Sequence, residues 1–132
     1  MRSNKKEKMK AIKITYWITT SIVALMMIYS TYVYLTQAAV AQGFTHLGFP
    51  PYFRVELAIA KLIGGIVLLT PLTSRIKEWA YAGFAVTFIS AFIAHSASGD
   101  PIAMRIMPVI FLALLAVSYY TKLRKDTLPP VK

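Results

Sequence analysis

The chain has 132 residues, 57% hydrophobic and 15% charged, with a formal net charge of +10 and a mean hydropathy of +0.56. A soluble domain holds about 45–50% apolar residues; the excess here falls in four runs of roughly 20 residues, each near the length that crosses ~30 Å of hydrocarbon, which leaves no room for a soluble domain. The basic residues stand at the ends of the apolar runs and form no face of their own, which argues against nucleic acid, and the absence of cysteine removes disulfides, thiolate metal sites, iron–sulfur clusters and a CxxC relay.

Residues 1–12 form a basic N-terminus. The apolar run that follows is longer than the ~7–15 residues of a signal-peptide core and lacks a clean small-residue cleavage site, so it reads as a retained first helix, at about 13–41. Tyr16 and Trp17 sit at its start, where amphipathic aromatics favour headgroup depth. The stretch QGFTHLGFPP, with His46, two glycines and two prolines, reads as a loop. Pro50 and Pro51 then suit the first turn of a second helix at about 51–70, because a missing N–H costs nothing there. A short turn with Arg75 and Lys77 leads into a third helix at about 76–98, closed by Gly99 as a C-cap. Asp100 and Pro101 suit the N-cap and first position of a fourth helix at about 101–121, bent at Pro108, and residues 122–132 read as a polar tail.

The predicted fold is therefore all-α: a transmembrane four-helix bundle occupying residues 13–121. Twelve lysines and arginines fall in the N-terminus, the helix 2–3 turn and the tail, against Arg54 and Arg105 on the other side and Lys61 within the membrane. Positive residues favour the cytoplasm, so both termini are expected inside, with the tail cytoplasmic.

Chemistry is expected where charge enters the apolar runs. A charged group at a helix centre costs about 2.5–3.5 kcal/mol on insertion scales and persists when it faces protein, water or a ligand. Helix 2 carries Arg54, Glu56 and Lys61, and the topology puts His46, Arg54, Glu56, His95, Asp100 and Arg105 toward one leaflet. Glu56, Ala60 and Gly64 recur every four residues, as do Gly83, Thr87, Ala91 and His95. Packed antiparallel through these small residues, the two stripes would set Glu56 beside His95 as a tentative acid–base pair. Each feature also has a plainer role. The stripes can be packing surfaces, Glu56 can neutralise Lys61 or an arginine, and His95 can be a structural hydrogen-bonding residue. Lys61 lies ~140° from Glu56 around an ideal helix, so it is poorly placed as its partner. Asp100 is chiefly a helix cap, and Arg105 could hold Glu56, Asp100 or an anionic ligand. Two histidines without clustered ligands make a weak metal signal, and no metal site is expected.

The runs ELAIAKLIGGIVLLTP and RIKEWAYAGFAVTFISAFIAHSASGDP, with the K-E-W-A-Y-A-G-F opening of helix 3 and its H-x-x-x-G-D close, resemble the DoxX-like family of small four-helix membrane proteins over about residues 29–120. The matching positions are Glu56, Lys61, His95, Gly99 and Asp100. The resemblance implies a multi-pass protein of a bacterial inner membrane. The family's namesake is a small subunit of a thiosulfate:quinone oxidoreductase, and relatives are linked to redox stress or help other membrane proteins assemble.

Three functions follow as expectations. The first is an outer-leaflet pocket for a quinone or similar apolar small molecule, serving a membrane redox partner. Tyr29, Tyr32, Phe53, Phe88 and Phe92 would form its walls, and Lys61, Arg54, Asp100, Arg105 and His46 would join Glu56 and His95 around it. The second is a cofactor-free enzyme using Glu56 and His95 on a lipid-like substrate. The third is an accessory subunit docking another membrane protein or a second copy of itself.

Overall fold

The computed structural model describes residues 2–127, with side chains described from residue 4 onward; residues 128–132 of the expected tail lie outside the described residues. Every described element is helical: α1 (Arg2–Thr36), α2 (Ala38–His46), α3 (Pro51–Leu69), α4 (Ser74–Ala97) and α5 (Ile102–Asp126).

Three boundaries differ from the sequence reading. The first helix begins at Arg2 and spans 35 residues, about 52 Å at 1.5 Å per residue, so its basic first turns run straight on beyond the hydrocarbon. It stops at Thr36 because Gln37 is extended, with φ −97° and ψ 120°. The segment expected as a loop instead contains α2. Four good or tolerable helix formers, Ala38 to Ala41, start it, and one glycine inside a helix costs only about 1 kcal/mol against alanine. Burial of Phe44 outweighs that, with its ring centroid 5.2 Å from Tyr34, 6.0 Å from Phe49 and 6.2 Å from Phe53. The fifth helix continues to Asp126, so residues 122–126 are helix rather than tail.

Two glycines end helices by the same device. Gly48 and Gly99 have φ of 86° and 71°. In each case the glycine N–H donates to the third carbonyl back, and the following residue donates to the fifth: Phe49 N to Phe44 O, and Asp100 N to His95 O, both 3.0 Å. This is the Schellman closure, which relies on the left-handed backbone that glycine adopts freely.

The four long helices close a ring. α1 packs on α3 and α5, and α4 packs on α5 and α3, while the diagonal pairs make no close backbone approach. α2 lies against α3 and α1 at one end. The centre is filled by Val23, Ala24, Met27, Leu68, Tyr81, Phe84, Phe88 and Leu115. α1 and α3 approach most intimately at Gly65, where a Cβ would stand 3.0 Å from the Ala24 carbonyl oxygen. Two turns away along α3, Thr31 Oγ1 donates to Ala58 O at 2.8 Å.

The exterior is apolar. Leu25 is 58% exposed, Ile63 57% and Val86 64%, an outward distribution that only a hydrocarbon solvent stabilises. α1, α4 and α5 are each long and apolar enough to cross a membrane. α3 has 19 residues and is set apart by Arg54, Glu56 and Lys61 within it. The antiparallel ring brings the start of α1, the α3–α4 turn and the end of α5 to one end of the bundle. α2, the start of α3 and the α4–α5 turn meet at the other.

Candidate functional site

The end of the bundle that carries α2 gathers both histidines around one carboxylate. The Schellman closure at Gly99 folds Asp100 back over the last turn of α4, within reach of the imidazole five residues earlier. His95 Nδ1 lies 2.6 Å from Asp100 Oδ2, and His46 Nε2, from the end of α2, lies 2.8 Å from Oδ1. Arg105 Nε donates to the Asp100 backbone carbonyl at 2.6 Å and pins the turn from α5. The Asp100 side chain is buried, His95 is partly covered and His46 is more than half exposed.

Hydrogen bonds from His95 first, then from His46, hold the Asp100 carboxyl below the usual carboxylate range. A carboxylate only accepts, so each histidine gives a proton-bearing nitrogen to Asp100, which turns His95 Nε2 and His46 Nδ1 away from it. The arrangement fixes the orientation of two imidazoles about one carboxylate.

This corrects two expectations. Asp100 does not cap α5, whose N-cap is Pro101; its side chain is committed to the imidazoles. The Glu56–His95 pair does not form. Glu56 is exposed and makes no hydrogen bond or ion pair among the described residues, whereas His95 takes the nearer acid. A carboxylate delivered by the adjacent turn needs no close approach of two helices, and α3 and α4 are the least closely packed neighbours in the ring.

Arg54 and Lys61 turn toward α1 instead. Arg54 Nη1 donates to the Tyr34 backbone carbonyl. Lys61 Nζ donates to Tyr34 Oη at 2.7 Å and to Ser30 Oγ at 3.2 Å, and stands 3.9 Å from the centroid of the Tyr34 ring. Lys61 is only 7% exposed, yet no carboxylate lies within ion-pairing distance of it among the described residues. Sequence reasoning missed Tyr34 and Ser30, although their spacing of four on α1 puts both on one face, a usable signal.

Of the aromatics expected around a ligand, Phe88 is buried in the central cluster, stacked at 6.1 Å on Phe84 and 5.8 Å on Phe111. Phe53 joins the cluster under α2. Tyr29, Tyr32 and Phe92 face outward, at 60%, 61% and 42% exposure. A groove of about 440 Å³ does exist, between α3 and α4, with Leu57, Lys61, Gly64, Trp79, Gly83 and Phe84 among its walls. The small-residue stripes thus border an opening at Gly83, where nothing stands within 4 Å of an added Cβ, and a tight contact at Gly64, where an added Cβ would stand 2.6 Å from Phe84 Cζ.

A second polar feature escaped sequence reasoning. Ser118 Oγ lies 2.6 Å from both Thr20 Oγ1 and Tyr81 Oη, tying α1, α4 and α5 together in the core. Among the described residues, no group of three or more His, Cys, Asp or Glu side chains is arranged to hold a metal.

A family model described as the DoxX-like family matches residues 18–118. The chain belongs to the DoxX-like family. That membership and the three apolar helices make it a membrane protein. The match covers all of α2, α3 and α4, the second half of α1, the first two-thirds of α5 and the whole His95–Asp100 turn of this DoxX-like bundle. Searches of curated proteins and of solved structures return no match.

Proposed function

We propose that this DoxX-like protein is a four-span protein of a bacterial inner membrane that binds a quinone or a similar apolar carbonyl compound, as a partner in membrane redox chemistry. In this reading α3 is the fourth span. Its 19 residues reach about 28 Å, and Arg54 and Lys61 are tied to α1 rather than left in lipid. The observation that carries the reading is Lys61: a buried ammonium that meets hydroxyls and one aromatic ring on α1 but no carboxylate among the described residues, on a residue that also lines the apolar groove.

Apolar walls with one or two placed polar groups are the usual make-up of a small-molecule site, and ~300–1,000 Å³ is the usual size. The ligand tail lies along Leu57, Gly64 and Phe84, and Lys61 donates a hydrogen bond to a ring oxygen. Oxidation of a quinol releases two protons and two electrons. The electrons pass to a redox partner protein, and the His95–Asp100–His46 set supplies acceptors for the protons near the outer surface. This geometry favours ligand binding over a cofactor-free enzyme, since Glu56 and His95 do not meet. An accessory subunit is the second reading, favoured by the openness of the same groove.

Trp79 lines the groove, so its fluorescence reports occupancy. A short-chain quinone should quench it saturably in the detergent-purified protein, with affinity weakened about tenfold or more in Lys61→Met. Mass spectrometry of protein taken from native membranes should find a quinone. Absence of both saturable quenching and bound quinone would sink the proposal and leave the accessory reading.

A further inference from the structure

The end of the bundle opposite the histidines holds a cluster of cations that the proposed function does not use. Lys77, in the first turn of α4, is 9% exposed, and Lys122, in the last turns of α5, is 2% exposed. Lys77 Nζ donates to Tyr16 Oη at 3.3 Å. Lys122 Nζ donates to Ser74 Oγ at 2.7 Å and to Asp126 Oδ2 at 3.2 Å. Lys125 Nζ stands 3.8 Å from Asp126 Oδ1 and 4.7 Å from the centroid of the Tyr16 ring. Tyr16 thus joins Lys77 to Lys125, and Asp126, itself 45% exposed, joins Lys125 to Lys122; two of the three ammonium groups share that one carboxylate, and Lys77 meets none among the described residues. Glu78, the nearest acid in sequence to Lys77, accepts from Tyr119 at 3.1 Å instead.

Two of these lysines are buried with too little negative charge, an arrangement that is costly unless a counter-ion completes it. We propose that Lys77, Lys122 and Lys125 bind a phosphate-bearing anion, supplied as the headgroup of an anionic phospholipid. Three observations favour that occupant. Trp17, 47% exposed, meets Tyr16 edge-on at 5.1 Å, the aromatic signature of headgroup depth. The first turn of α4 presents its positive end at the same level, which adds to the attraction for an anion. Basic pockets between membrane helices are known receptors for lipid phosphates. The inference stands apart from the quinone reading, because it concerns the other end of the molecule.

The test compares the full-length protein in nanodiscs of phosphatidylcholine with and without phosphatidylglycerol. Native mass spectrometry counts retained lipid, and thermal unfolding reports stabilisation. Retention of phosphatidylglycerol should exceed that of phosphatidylcholine about tenfold or more, and Lys77→Gln should lower the preference about fivefold, the effect of one lysine at the surface. Should Lys77→Gln fail to fold, Lys125→Gln, at a partly exposed position, serves in its place. The exposed pair Lys8→Gln with Lys10→Gln removes two charges outside the cluster and should keep most of the preference. Equal retention of the two lipids, or equal loss in the Lys8/Lys10 variant, overturns the site. Inorganic phosphate that reproduces the full stabilisation in phosphatidylcholine overturns the lipid as its source.

Discussion

Replacing Lys61 by methionine gives the sharpest test of why a charge stands in α3. Lys61 is 7% exposed and its ammonium is met only by Tyr34 Oη, Ser30 Oγ and the Tyr34 ring. Removing a charge from helix-centre depth relieves about 2.5–3.5 kcal/mol on insertion scales. Against this, two hydroxyls each lose a partner, at about 0.5–1.5 kcal/mol net apiece. Ser30 and Tyr34 stand four residues apart on one face of α1 and can recover part of that by bonding each other.

Methionine nearly matches the lysine stem in volume, so no cavity opens. The balance is a variant more stable by about 1 kcal/mol, or roughly 4 °C in unfolding midpoint for a chain of this size. Trp17 and Trp79 fluorescence during thermal unfolding in nanodiscs measures it. Greater stability together with weakened quinone quenching marks Lys61 as a group held for function at a structural cost. Destabilisation by more than about 1 kcal/mol would refute the reasoning and make Lys61 a structural tie between α3 and α1.

Other outcomes follow from the same packing. Gly65→Ala should destabilise by about 1–3 kcal/mol, the usual cost of overpacking, because its Cβ would stand 2.9 Å from Ile28 Cγ1 and 3.0 Å from a backbone oxygen. Gly83→Ala meets nothing within 4 Å and should stabilise by roughly 0.5–1 kcal/mol through helix propensity; chemical denaturation of the two variants side by side checks both. Ser118→Ala strands Thr20 and Tyr81 in the core and should cost about 1–3 kcal/mol, measured by the same denaturation. Asp100 is held below its ordinary carboxylate range, so its contribution is complete above the unfolded value of about 3.9 and disappears as pH falls through the lower folded value. The difference in unfolding midpoint between wild type and Asp100→Asn should therefore shrink as pH falls below about 4. A difference that persists undiminished on acidification well below that pH contradicts the assignment.

Much of the site was legible as a list of residues and little of it as a set of pairs. His46, His95, Asp100 and Arg105 could be assigned to one end from chain direction alone, because helices that alternate in direction bring every second turn to the same side. Their mutual bonds depended on a backbone reversal at Gly99 that moves Asp100 by one turn, and periodicity along a helix does not encode where the chain goes after the helix stops. The small-residue stripes misled for a related reason. Small side chains permit close approach without enforcing it, and the gap at Gly83 stays open where Gly65 does not. α2 was missed because glycine and proline punctuation outweighed the alanine run and the burial of Phe44, a contact made with Tyr34 on another helix.

By itself, the sequence determined that this chain is helical and membrane-bound, and that His46, His95, Asp100 and Arg105 lie toward one end of it. Composition and hydropathy act locally, segment by segment, and the solvent responds to each segment alone. Only the tertiary structure decided that Asp100 serves two histidines, that Lys61 looks to Tyr34 and not to Glu56, and that Lys77 and Lys125 share a corner with Tyr16. Those are choices among several partners within reach. They are settled by how the ring of helices closes, through distances of a few ångströms that no spacing along the chain records.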